Sequence, residues 1–72
     1  MDMKSQILAY VLQIDDLKAQ MAKHWMLVQK SIADGNVDDA ISLLNAYFSL
    51  KAKLEGVEAN LQGILRGYFA DK

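Results

Sequence analysis

Apolar side chains recur along this chain at intervals that alternate between three and four residues, the spacing of a helix that buries one stripe. One row runs Ile7, Ile14, Met21 and Val28, and a second runs Met3, Tyr10, Leu17 and His24. Both keep a seven-residue repeat, like the seam of a coiled coil. After Asp34-Gly35-Asn36 the repeat resumes as Ala40, Tyr47, Leu54, Leu61 and Tyr68 beside Leu43, Leu50, Val57 and Ile64. The pattern predicts one domain over residues 1–72, with a helix over 3–33, a turn over 34–36 and a second helix over 37–70.

The turn has the chemistry to reverse the chain. Gly35 can adopt the left-handed conformation that ends a helix, and Asn36 can cap the next one. Asp38 and Asp39 then fall where free N–H groups favour negative charge, while Lys30 lies near the preceding C-terminus.

Residues facing each other across an antiparallel hairpin have numbers that add to a constant, and here that constant is 71. Met3 faces Tyr68, Ile14 faces Val57, Met21 faces Leu50, His24 faces Tyr47 and Val28 faces Leu43, with Ser31 and Ala40 closing the stack. Two unrelated helices have no reason to share this register. The expected fold is therefore all-α, an antiparallel two-helix hairpin of coiled-coil type, completed by oligomerisation or by a helical partner. A break at Glu55-Gly56 would give three helices instead, but the heptad passes through Gly56 and Gly63 unshifted and no polar turn cluster accompanies either. The phrase Gly35-Asn36-Val37-Asp38-Asp39-Ala40 is like that of a tetratricopeptide unit, yet the arms are too long for a repeat of about 34 residues.

At 72 residues a lone core yields roughly 3–5 kcal/mol, so an external staple is expected. Cysteine is absent and histidine occurs once, which leaves neither a disulfide nor a zinc shell; no cofactor is expected. Assembly remains. A formal charge of −1 gives no general field for nucleic acid or an anionic membrane. Charged residues interrupt both helices before the roughly 18–20 apolar residues of a membrane span accumulate, and the stretch Ile7 to Leu12 lacks a cleavage signal, so a cytoplasmic protein is expected.

Two surfaces call for a cover. On the second helix, positions away from the seam are mostly small: Ser42, Asn45, Ser49, Ala52, Gly56, Ala59, Gly63, Arg66 and Ala70. Such a stripe lets another helix approach closely. On the first helix, Leu8, Leu12, Ala19, Ala22, Met26 and Ala33 form a second apolar stripe, widened by Trp25, Leu27 and Ile32. Ile41, Leu44, Phe48, Leu65 and Phe69 also stand outside the seam of helix two, which is more apolar surface than one helix pair can bury. The interface expected from these stripes comprises Leu8, Leu12, Ala19, Ala22, Trp25, Met26, Phe48, Ala52, Gly56, Ala59, Gly63, Leu65 and Phe69.

Candidate chemistry is thin. His24 shares a core layer with Tyr47, so a polar pair that fixes the register is the expected role. Asp15-Asp16 and Asp38-Asp39 are adjacent on helices, point in different directions and have no converging base or nucleophile. No catalytic residue is assigned and no enzyme is expected. The aromatic residues lack the interleaved basic residues of a single-strand binder.

The phrases Ala33-Asp34-Gly35 at the turn, Leu54-Glu55-Gly56 and Gly63-Ile64-Leu65 give the chain a resemblance to the small hairpin co-chaperones of type III secretion needle subunits. The layout covers most of the chain, whereas the phrases fall only at the turn and in the second helix. The resemblance implies a tetratricopeptide-like partner and joint sequestration of a helical subunit. The function expected is thus a non-enzymatic interaction module, a secretion or assembly co-chaperone or adaptor. Alternatives are a ROP-like homodimeric bundle that binds structured RNA, for which Lys4, Lys18, Lys51, Lys53 and Arg66 are too scattered, and a small phage or toxin-associated inhibitor.

Overall fold

The computed structural model describes residues 2–70 as two antiparallel helices, α1 (Met3–Ala33) and α2 (Val37–Ala70), in a rod of 55 × 15 × 15 Å. Met1, Asp71 and Lys72, the ends of the expected domain, lie outside the described residues. The fold is the all-α hairpin that the heptads predict. No break occurs at Glu55-Gly56: α2 is continuous, and with no proline in it the weakest helix formers are its three glycines, Gly56, Gly63 and Gly67.

The start of α1 and both sides of the turn are closed by identifiable groups. Asp2 caps α1 by accepting the Ser5 backbone N–H on Oδ1 at 2.7 Å, which holds its carboxyl below the ordinary value. The other end is a Schellman turn: Asn36 N–H donates to the Ser31 carbonyl at 2.8 Å and Gly35 N–H to that of Ile32 at 3.0 Å. The geometry needs a left-handed residue, and Gly35 supplies it at φ 77°. Asn36 then caps α2. Its Oδ1 accepts from Asp39 N–H at 3.3 Å, while its Nδ2 donates to the Asp39 carboxylate at 2.7 Å.

The seam follows the heptads closely. On α1 the side chains that are not exposed are Met3, Ile7, Tyr10, Ile14, Leu17, Met21, His24, Val28 and Ser31, all of them seam positions. Grooves at the seam bring Met21 beside Tyr47 and Leu17 beside Val57, pairs whose numbers add to 68 and 74 and so bracket the register of 71. The core itself is thin. Only Val28, Ala40 and Leu54 are buried among the described residues, at 2%, 3% and 8% exposure. Two helices alone shield a stripe about one side chain wide, and the rest of each apolar surface stays in water.

One expected contact is not made. His24 sits half-buried in the seam, but its Nδ1 lies 2.9 Å from the carbonyl oxygen of Gln20 on its own helix, to which a proton there donates. Tyr47 turns its ring to Trp25 instead, with centroids 5.4 Å apart. The carbonyl one turn back is always within reach of a helical side chain, whereas a partner across the seam is not, so the local bond wins. His24 and Tyr47 form no polar pair, and the register rests on apolar packing.

Candidate interaction surface

Heptad geometry divides the hairpin into two flanks. With seam rows lettered a and d, the e and b rows of both helices lie on one side of an antiparallel pair and the g and c rows on the other. Groove linings agree with this division. Leu8 of α1 shares a groove of about 360 Å³ with Leu65 and Phe69 of α2, and Ala22 and Trp25 share another of about 300 Å³ with Tyr47. The opposite flank brings Gln6, Ala9 and Gln13 beside Ile64, and Gln13 and Asp16 beside Lys53, Gly56 and Asn60.

The two flanks differ in chemistry. Eleven large apolar side chains are exposed among the described residues, and eight of them, Leu8, Val11, Trp25, Ile32, Val37, Ile41, Phe48 and Phe69, stand on the first flank. Leu12 and Met26 lie on the outer row of α1, and only Leu27 is on the opposite flank. The apolar excess is thus gathered into a single face. Leu44 and Leu65 extend it on α2, where they are half-buried.

An aromatic cluster marks the turn end of this face. Tyr47 meets the Trp25 ring at a 48° tilt and the Phe48 ring edge-on at 5.5 Å. Trp25 and Phe48 nevertheless stay 46% and 56% exposed, so large apolar area is left uncovered. At the open end, Tyr68 and Phe69 make a second edge-on pair beside Leu8 and Leu65. Between the clusters lies a charged belt of Asp15, Lys18, Lys51, Glu55 and Glu58.

The interface residues read from the sequence separate into two groups. Leu8, Ala22, Trp25, Phe48, Leu65 and Phe69 share the apolar face, and Leu12, Ala19 and Met26 border it on the outer row of α1. Ala52 and Ala59 lie on the outer row of α2, and Gly56 and Gly63 on the opposite flank, all exposed. A methyl group at Gly56 or Gly63 would meet nothing within 4 Å, so neither glycine is required by the hairpin itself. Ile32 and Ile41, apolar positions outside the seam but not in the expected interface, also belong to the face, as do Val11 and Val37, which the single-helix stripes do not contain. The e and b letters of both helices, superposed in the 71 register, would have found them.

Several titratable groups have local duties. Asp16 accepts a hydrogen bond from Gln20 Nε2 at 2.9 Å, Asp39 and Asn36 cap α2, and His24 is tied to Gln20. Among the described residues no group of acids, histidines or cysteines could hold a metal ion, and no helix is long and apolar enough to cross a membrane. Lys4, Lys18 and Lys51 lie on the apolar flank, whereas Lys53 lines a groove on the other and Arg66 stands on the outer row of α2, so the five cations are not gathered on one surface. No protein-family model, characterised protein or solved structure matches the chain.

Proposed function

We propose that this chain is a non-enzymatic protein-interaction module whose apolar face is covered by helices of another polypeptide. The observation that carries the reading is the gathering, among the described residues, of eight of eleven exposed large apolar side chains on one flank, against only three buried residues. Exposed apolar clusters of this size on one face, one at each end of a charged belt, mark an interaction site, and the face is long, as helical partners require. The duties of Asp16, Asp39 and His24 in local hydrogen bonds support a structural rather than catalytic use of these groups. An assembly or secretion co-chaperone, or an adaptor that sequesters a helical subunit, is the narrower form of the reading, supported by the hairpin layout and the phrases at the turn and in α2.

The test is site-specific photo-crosslinking in the cells that make the chain. A photoreactive residue at Phe48, on the apolar face, is expected to yield discrete adducts with polypeptide, whereas one at Ser49, on the opposite flank, is expected to yield few. Equal labelling at the two positions, or none at Phe48, contradicts the reading.

A further inference from the structure

We infer that the occupant of the apolar face is a second copy of this chain, laid antiparallel so that the turn of each hairpin lies over the open end of the other. The inference rests on the interaction reading and adds the partner and its register.

The first observation is the order of chemistry along the face. Its middle is charged, and apolar clusters occupy both ends, Leu8, Leu65 and Phe69 at one and Trp25 and Phe48 at the other. Whatever covers this face must repeat the order apolar, charged, apolar. A reversed copy does so by construction.

The second observation is register. A two-fold axis lying in the face and crossing the hairpin at mid-length sets α1 over α1 and α2 over α2, each antiparallel. Facing residues on α1 then have numbers that add to a constant. Because seam partners add to 71, facing residues on α2 add to 142 less that constant. Opposite charges place the axis on α1, since Asp15 against Lys18 of the copy adds to 33. The α2 pairs must then add to 109, and Lys51 against Glu58 adds to 109. One axis therefore brings opposite charges together on both helices, twice on each by symmetry. Glu55 comes nearest its own symmetry mate, with Lys51 one turn away on its own helix to offset it.

The same axis seats the apolar groups. Leu8 faces Trp25 and Val11 faces Ala22 on α1, both adding to 33, and Leu44 faces Leu65 on α2, adding to 109. The competing arrangement, turn over turn with the axis along the rod, sets Asp15 against Glu55, like charge on like, and leaves Lys18 midway between Lys51 and Glu55, so it gains no clear opposite pair. Charge thus favours the antiparallel dimer, which has two kinds of opposite pair where the alternative has none. A face of 55 by 15 Å offers a footprint of roughly 800 Å², about what one partner contributes to a standard stable interface.

Disulfide trapping of the purified full chain tests the register. Cysteines at Val11 and Ala22 are about 16 Å apart along one helix, too far to bridge within a chain, so oxidation of this double variant is expected to give a covalent dimer. The pair at Val11 and Gln29, one heptad out of register, is expected to give none. Lys18→Asp should weaken self-association by about tenfold by setting acids against acids, and Asp15→Lys added to it should restore association. A monomeric mass at every concentration without disulfide dimer, preferential trapping of the Val11 and Gln29 pair, or failure of the charge swap to restore association overturns the second-copy inference. Photo-adducts at Phe48 with a different polypeptide, from a chain that stays monomeric, would overturn this inference alone; absence of adducts as well would remove the interaction reading with it.

Discussion

The indole of Trp25 and the ring of Tyr47 meet across the hairpin, centroids 5.4 Å apart and planes inclined by 48°, although the two residues belong to different rows of their helices. Tyr47 is a seam residue and Trp25 stands one row outside it, so the contact bends the edge of the core outward onto one flank. It also makes the only tryptophan of the chain a reporter of that flank.

The register can be checked by crosslinking within one chain. Cysteines at Ile14 and Val57, which face each other at 71, are expected to join under mild oxidation without change of mass. The pair at Ile14 and Leu50 is displaced by one heptad, about 10 Å along the axis, and is expected to remain reduced. The reverse preference would reject the alignment of the two helices.

Replacing His24 with leucine separates a local role from a cross-seam one. The bond from His24 to the Gln20 carbonyl is confined to α1, and a half-buried leucine at this position adds apolar contact. Unfolding in denaturant is expected to show no loss and a gain of up to about 1 kcal/mol, with the Ile14 and Val57 crosslink unchanged. A loss of more than about 1 kcal/mol, or a change of crosslinking pattern, would mean that His24 secures the partner helix after all.

The helices, the turn and the seam were legible because each is fixed by local chemistry or by a repeat. Gly35 and Asn36 define the reversal through backbone conformation and capping, and the heptads through Met3 and Tyr68 fix which rows meet. The contents of the interaction face were legible only in part. Trp25, Phe48 and Phe69 announce themselves by size, but their common flank depends on superposing the two helices, a tertiary relation that stripes drawn on single helices omit. The His24 and Tyr47 pair failed for a related reason. Sharing a layer does not orient two side chains, and each found a nearer partner, Gln20 in one case and Trp25 in the other.

Gly56→Leu and Gly63→Leu probe the flank opposite the apolar face. A side chain at either position starts from open space, so each substitution is expected to raise helicity and stability by several tenths of a kcal/mol. Because both glycines point away from the antiparallel two-fold contact, self-association measured by sedimentation should not change. Weakened self-association would move the interface to the small-residue stripe.

Acid should loosen the start of α1. The Ser5 backbone N–H, and after it the Ser5 side chain, hold the Asp2 carboxyl below its unfolded value of 3.8. A depressed carboxyl contributes stability that is complete above the unfolded value and is lost as pH falls through the folded one. Exchange of the Ser5 amide is therefore expected to lose protection below about pH 3.8, relative to the helix interior, and Asp2→Asn should remove that pH dependence while keeping a cap. Protection of Ser5 that is indifferent to pH in the native chain would contradict the capping role.

The most direct measurement is quenching of Trp25 fluorescence by acrylamide across a wide range of chain concentration. In the separate hairpin the indole is 46% exposed, and in the antiparallel dimer it faces Leu8 of the copy. Quenching should fall and emission shift to shorter wavelength as concentration rises, with the melting temperature rising in parallel because assembly favours the folded state by mass action. A Trp25 equally quenchable at every concentration, in a chain whose melting temperature does not move, would contradict the covering of this face by a second copy.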